Sequence, residues 1–173
     1  GVEGPASFWV RPDAKKTTEY IVYLSQSGLG LPDRDYYLKE DDKFKSIRGK
    51  YAAYLETLLK LASHSSPHKG ANAVFALETQ IATYQWTRVQ NRDRDKTYNH
   101  FVATDLKKTC EVCQWPRFFE GLGLNDIPSV IVRQPSYFSA LGKVLSENTV
   151  QDWKDYMTVR VLSAYAPRLS SAF

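Results

Sequence analysis

The 173-residue chain is poor in cysteine, with two in all, and has a single methionine that is not at its start. It has no apolar run long enough to span a membrane. It shows no signal-peptide pattern, no internal repeat and no low-complexity segment. It opens at Gly1 in mid-pattern and stops at Phe173 without an obvious terminator, as expected of a processed or excised piece. It also lacks a stripe of one charge. The 23 basic and 19 acidic residues give a net charge of +4, and the two signs alternate, as in "NRDRDK" at 91–96. Nucleic-acid binders cluster their basic residues, so no nucleic-acid partner is expected.

What remains is ordinary globular composition, 43% hydrophobic and 24% charged. The length suits one domain with a real core, here taken as residues 1–173. "EYIVYL" at 19–24 is rich in β-branched and aromatic residues and predicts a strand. "FWV" at 8–10 can pair with it across the turn-like "RPDAKK", giving an N-terminal β-hairpin. "SGLGLPDRDYY" at 27–37 carries two glycines and a proline and predicts an irregular segment, with Leu29, Leu31, Tyr36 and Tyr37 packed down on the protein.

Helical periodicity dominates the rest. Phe44, Ile47, Tyr51, Tyr54, Leu55, Leu58, Leu59 and Ala62 recur every three or four residues, with Asp41 or Asp42 as the N-cap. Val74, Leu77, Ile81 and Tyr84 mark a second helix from about 71 to 85. "NRDRDKTYNHF" at 91–101 breaks the period. Thr104 suits the N-cap of a short helix running through the cysteines. "WPRFFEGLGL" at 115–124 predicts another, with Pro116 in its first turn and glycine at its end. "VIVRQ" at 130–134 predicts a short strand, and Pro135 opens a helix through Leu145. Thr149 with Asp152 resembles a capping arrangement for a last helix, which carries Val150, Trp153, Met157, Val161 and Tyr165 and which Pro167 should end or kink. The fold class is therefore mainly α with a small N-terminal β-hairpin.

Few residues offer chemistry. "HSSPH" at 64–68 spaces two histidines as in the helical zinc motif His-Glu-x-x-His, where positions i and i+4 share a face beside a glutamate base. Here Ser65 replaces the glutamate, and Pro67 would interrupt a helix. With Ser63, Ser66, Lys69 and Gly70 around it, the stretch predicts a solvated connector between two helices. Cys110 and Cys113 in "CEVC" follow "TDLKKT", which predicts the opening of a helix already under way rather than the strand-to-helix junction of a redox pair. They are expected to be small, partly buried residues. A local disulfide stays open if the compartment is oxidising, and a thiol–disulfide role stands as a further alternative. His100 has no Ser, Cys or carboxylate arranged with it in a recognisable pattern.

Four stretches together resemble the N-terminal, non-catalytic region of the M13 (neprilysin-like) zinc metallopeptidases. The first is "YIVYLSQSGLGLPDRDYYL" at 20–38, matching at Gln26, Gly28, Leu29, Leu31, Pro32, Arg34, Asp35, Tyr36 and Tyr37. The second is "LETQIA" at 77–82 with "WTRVQNRDRDKTYN" at 86–99. The third is "WPRFFEGLGL", and the fourth "VIVRQPSYFSAL" leading to "WKDYMTVRVL". Their order and spacing hold over about residues 8–173. The near absence of cysteine looks more like bacterial members than the disulfide-rich animal ectoenzymes.

The resemblance implies a piece of a larger zinc endopeptidase with a catalytic lobe and a mostly helical lobe around a cavity that admits peptides of limited size. The zinc ligands and substrate-binding segment of that family lie in its C-terminal part, and no His-Glu-x-x-His is present here. The chain is thus expected to be a fragment of the helical lobe, with no catalytic, metal-binding or cofactor-binding residue of its own. Zinc would be held by the parent only, with the catalytic lobe of the same chain as partner and peptides as substrates. The resemblance also implies a secreted, periplasmic or outward-facing membrane-anchored parent. A helical interaction module without catalysis is the alternative.

Arg34, Asp35, Arg92, Asp93, Tyr98 and Asn99 lie in the matching segments. They are expected to tie irregular backbone to helix ends rather than to contact substrate. Trp9, Trp86, Trp115 and Trp153 are expected to be core or interface aromatics. His64 and His68 are expected to be exposed. The purified chain should take up no stoichiometric zinc, as read by metal analysis; bound zinc that disappears on His64→Ala would contradict this.

Overall fold

The apolar runs "YIVYL" and "VIV" become neighbouring central strands, and the three-to-four periods become long helices. The computed structural model describes residues 2–169, so Gly1 and Phe173 lie outside the described residues. In chain order the elements are β1 (Ala6–Pro12), β2 (Tyr20–Gln26), the short helix α1 (Asp35–Leu38), α2 (Asp42–Leu61), α3 (Pro67–Tyr84), α4 (Arg88–Arg92) and β3 (Asn99–Val102). There follow a 3-10 segment (Ala103–Lys108), α5 (Trp115–Gly121), β4 (Ser129–Val132), α6 (Pro135–Glu147), α7 (Val150–Tyr165) and a 3-10 turn at Ala166–Arg168. The fold is mainly α, as expected. The described residues gather into two compact units, one of residues 2–5, 28–83 and 147–169, the other of residues 6–27 and 84–146.

The second unit holds the sheet. The expected hairpin is real, with Trp9 opposite Tyr23 and Val10 opposite Val22. It is half of a four-stranded sheet of order β1-β2-β4-β3. β2 runs parallel to β4, and β3 antiparallel to β4. On one face Phe8, Val22, Leu24, Val130 and Val132 gather. The ring of Phe8 meets Phe118 of α5 edge-on at 6.1 Å, and Trp115 lies 5.7 Å from Phe138 of α6. On the other face Ile21, Tyr23 and Ile131 form a cluster with Trp9 and Tyr98 against it. Strands covered on both faces need apolar residues at nearly every position, which is why β2 and β4 read as continuous runs. β3 is an edge strand of alternating burial, "NHFV", and its polar start hid it within the stretch that broke the helical period.

The first unit is helical. α2 and α3, of 20 and 18 residues, bury Leu55, Leu58, Leu59, Val74, Leu77 and Ile81. α7 adds Tyr156 and Val159 and begins with the anticipated capping box, in which Thr149 and Asp152 satisfy each other's backbone N–H. Its stripe of Met157, Val161 and Tyr165 is about two-fifths exposed, so the buried face of α7 lies elsewhere on the helix.

Three local expectations change. Pro67 stands at the first position of α3, where its missing N–H costs nothing, so Pro67 to Gly70 are helical and the connector is shorter than "HSSPHKG". The segment before the cysteines is 3-10 rather than α and stops at Lys108, with Thr104 inside it and Val102 as its N-cap. "DYYL" at 35–38 forms one helical turn within the otherwise irregular 27–37 region.

Leu77 is fully buried. Leu77→Ala is expected to lower the unfolding free energy by about 2–5 kcal/mol. Urea denaturation should show a lower midpoint at unchanged slope; a loss under about 0.5 kcal/mol, the range of surface changes, would show that this face of α3 is not core.

Candidate functional site

The histidine pair is the first place to look for chemistry, and the geometry divides it. His64 is not exposed, as had been expected, but half-buried. Its Nδ1 accepts the Ser66 N–H at 3.1 Å, so its Nε2 carries the proton and donates to Asp155 Oδ1 at 3.0 Å. Asp155 is buried and also accepts from Gln151 Nε2 at 2.6 Å. His68 is exposed in the first turn of α3, with Glu56 Oε2 2.9 Å from Nδ1 and Asn72 Nδ2 3.1 Å from Nε2. Every ring nitrogen of the pair is therefore engaged by a different neighbour. Among the described residues no group of three or more His, Cys, Asp or Glu is placed to hold a metal ion. These residues do not fit zinc.

Cys110 and Cys113 form a disulfide, so the expectation of two separate thiols is corrected to the bridge that had been left open. Cys110 is buried, and its Sγ lies where a Cβ on Gly142 of α6 would be 3.2 Å away. His100 is exposed on β3.

The 26–38 segment is held down by a carboxylate. Glu78 of α3 is fully buried. Its Oε2 accepts the Tyr37 hydroxyl at 2.7 Å and the Tyr51 hydroxyl at 2.9 Å. Its Oε1 is buried without a partner among the described residues. The Tyr37 oxygen in turn accepts the N–H groups of Gly30 (3.1 Å) and Leu31 (2.9 Å). The Tyr51 ring lies so close to Gly30 that a Cβ there would collide with it. Tyr156 donates to the Gly28 carbonyl at 2.9 Å, and Gly28 has φ 96°, a conformation natural only to glycine. Burial pushes the Glu78 carboxyl above its usual range, opposed by the two tyrosine bonds and the Arg160 charge. Burial, and then the Glu78 charge, raise both Tyr37 and Tyr51.

A second constellation ties 86–99. The Gln26 amide clamps the backbone of Trp86, accepting its N–H at 2.7 Å and donating to its carbonyl at 2.9 Å. Asn91 donates to the same carbonyl and accepts from the buried Gln134 at 2.7 Å. Asp93 caps a turn through the N–H groups of Asp95 and Lys96, and the Lys96 bond foremost lowers its pKa. Tyr98 donates to both oxygens of Asp13, at 2.8 and 3.0 Å. The Tyr98 pKa rises to about 12, through burial and then this bond. Asp13 lies below its usual value, chiefly through the Lys15 N–H. Asn99 donates to the carbonyls of Lys96 and Val132.

Arg34 donates to the Thr83 carbonyl at 3.3 Å, and Asp35 pairs with Lys39 at 2.9 Å. Thus Arg34, Asp93 and Asn99 do bond backbone groups as expected, whereas Asp35 and Tyr98 bond the side chains of Lys39 and Asp13 and Arg92 is exposed at the end of α4. Trp115 is core, while Trp9, Trp86 and Trp153 are half-buried. Glu78, Gln134 and Asp155 stand within the matching stretches, but nothing in the sequence assigned any of them a role of its own. The signal for Glu78 was its place one residue past Leu77 and three before Ile81, on the apolar face of α3.

In both units side chains pin irregular segments through bonds to backbone groups. Comparison with known proteins gives the family: the N-terminal model of peptidase family M13 matches residues 1–173, and the chain belongs to that family. Endothelin-converting enzyme-like 1 of Mus musculus is 23% identical over 172 residues, covering 96% of this chain and 22% of that protein. Endothelin-converting enzyme 1 of Homo sapiens is 25% identical over 146 residues, covering 81% of this chain and 19% of its own length. The crystal structure of the Mycobacterium tuberculosis zinc metalloprotease Zmp1 with an inhibitor superimposes with TM-score 0.93 at 30% identity, over 99% of this chain and 27% of that one. PepO of Lactobacillus rhamnosis shares the fold, with TM-score 0.74 and 19% identity over 96% of this chain and 27% of that one. The chain therefore spans about a fifth to a quarter of these relatives' length.

The Glu78 site carries a pH signature. A carboxyl whose folded pKa is raised stabilises the fold fully below its unfolded value and loses that contribution as pH rises through the folded value. Stability relative to Glu78→Gln is therefore expected to fall as pH rises above the ordinary glutamate range. Urea titrations of both proteins over a pH series check this; a difference that does not change with pH would refute the assignment.

Proposed function

We propose that the chain is part of an M13-type zinc endopeptidase: a single stretch, residues 1–173, of its helical, non-catalytic lobe, working beside a catalytic lobe of the same parent chain. In this reading the segment caps the active-site cleft and restricts it by size, so that peptides enter and folded proteins do not. It contributes no catalytic residue and no zinc ligand; the metal belongs to the catalytic lobe. The parent works outside the cytoplasm, secreted, periplasmic or anchored facing outward. Among the described residues no helix is long and apolar enough to cross a membrane.

The observation that carries this reading is the coverage. A zinc metalloprotease superimposes on 99% of this chain while this chain accounts for 27% of it, and the sequence contains no His-Glu-x-x-His. The chemistry left to the chain is positional. Exclusion by size needs loops that keep their shape, and side chain-to-backbone bonds from Tyr37, Gln26 and Asn99 supply that stiffness. A second reading, a helical module that binds peptides or proteins without catalysis, is favoured by the exposed Met157, Val161 and Tyr165 on α7.

Sequencing the native protein past residue 173, with cleavage assays on peptides of graded length, separates the two. The parent is expected to carry His-Glu-x-x-His downstream, to cleave short peptides and to lose activity to a chelator, while the 173-residue chain alone cleaves none. Metal-dependent cleavage by the isolated chain, abolished by replacing its own histidines, would sink the proposal. A native protein without the motif would leave the binding module as the account.

A further inference from the structure

β1 stands at one end of the sheet, and the hydrogen bonds around it decide which of its backbone groups face outward. Arg133 N–H donates to the Leu24 carbonyl at 2.9 Å between β4 and β2, and Asp13 N–H donates to the Glu19 carbonyl at 2.8 Å beside the hairpin turn. Backbone groups of successive strand residues point to opposite edges. Those of Val22 and Leu24 therefore point to β4, and those of Ile21 and Tyr23 to β1. In the register of the hairpin this commits Arg11 and Trp9 to β2 and leaves the N–H and C=O groups of Ala6, Phe8 and Val10 on the outer edge. None of these outer groups has a partner among the described residues. Pro12 is next in the alternation and has no N–H, so it closes the row. Phe8 is 38% exposed and Val10 49%, so the row is open to solvent.

The two faces beside this edge differ. Phe8 and Val10 offer apolar side chains on one. On the other, Arg11 is exposed, with its guanidinium carbon 4.4 Å from the centre of the Tyr23 ring and 5.7 Å from that of Trp9. The Arg133 guanidinium also stands 5.7 Å from the Trp9 ring. Among the described residues neither arginine is ion-paired; Arg133 donates to the Asn91 carbonyl at 3.3 Å. Asp13, the acidic residue nearest Arg11 in sequence, is already held by the Lys15 N–H and the Tyr98 hydroxyl. Burial, and then the Arg11 charge, keep Arg133 below its ordinary pKa, so the two cations repel each other.

We propose that β1 is a docking edge for an acidic, extended segment of another polypeptide, which adds to the sheet as a fifth strand. A free edge is a template for such pairing. The segment's backbone bonds to the outer groups of Ala6, Phe8 and Val10. Its side chains alternate: apolar ones lie beside Phe8 and Val10, and a carboxylate on the opposite face pairs with Arg11 and offsets the repulsion from Arg133. Backbone bonds supply affinity whatever the sequence, and the charge selects among sequences. A second copy of β1 does not fit, because "ASFWVRP" has no acidic residue and would set arginine against arginine. The edge lies within the unit of residues 6–27 and 84–146 and does not depend on the peptidase reading.

The test titrates the native protein that carries this chain, by calorimetry at low salt and with a chelator present so that no cleavage competes. The probe is a capped heptapeptide of alternating valine and glutamate; its counterparts carry glutamine or lysine in place of glutamate. The glutamate peptide is expected to bind about fivefold more tightly than the glutamine peptide, and the lysine peptide to bind most weakly. Arg11→Gln should erase the glutamate preference and leave the glutamine peptide unchanged. Val10→Pro removes an outer N–H while sparing the bonds to β2, and should weaken the glutamate and glutamine peptides alike by about fivefold. Melting curves verify that each variant folds. A glutamate peptide N-methylated at every residue keeps its charge but has no N–H to donate, and should not saturate on the unaltered protein; this tests the edge without relying on the proline variant. Equal affinity for the glutamate and glutamine peptides, a preference that survives Arg11→Gln, undiminished binding of the N-methylated peptide, or no binding at all overturns the proposal. So does a dimer of the native protein that Val10→Pro dissolves, since the edge then belongs to a second copy.

Discussion

One buried carboxylate sets the terms for the irregular part of the helical unit. Glu78 leaves water entirely, and a carboxylate in an apolar interior is costly unless donors reach it. Tyr37 and Tyr51 supply those donors at one oxygen. Because the Tyr37 oxygen also receives two backbone N–H groups, the same bond fixes the 28–31 backbone. Gly28 and Gly30 then follow as consequences, since the chain passes too close to Tyr156 and Tyr51 for a side chain. Recurrent glycines, tyrosines and a glutamate far along the sequence thus serve one local problem.

The sheet unit solves a related problem with amides. β2 and β4 are parallel neighbours, so the chain cannot join them by a tight turn and leaves for most of its length between them. On its return, the strand ends and the 86–99 loop carry backbone groups with no ladder to join. Gln26 and Asn99 act as substitutes for missing ladder partners, bonding to the carbonyls of Trp86 and Val132, and Gln134 holds Asn91. Uncharged amides can donate and accept at once, which suits sites where a charge would need its own neutralisation.

The chain's conspicuous polar residues are spent on backbone. The histidines, which drew attention by spacing, are engaged separately by Asp155 and Glu56. Spacing of four places two residues on one face only when both lie in the same helix; Pro67 starts that helix between them.

The sequence by itself determined the long helices, the hairpin, the helix stop at Gly123 and the capping box at Thr149, because each is decided by residues within a few positions of one another. It also carried the family, through motifs in fixed order. Tertiary structure alone decided that the hairpin extends into four strands, that Glu78 is the anchor of the 28–31 loop, that His64 turns to Asp155, and that the outer stripe of α7 is not its buried face. These depend on distant partners, such as Tyr51 for Glu78, 27 positions away, and Asp155 for His64, 91 positions away. No local pattern encodes which distant donor will reach a buried acceptor; packing settles that.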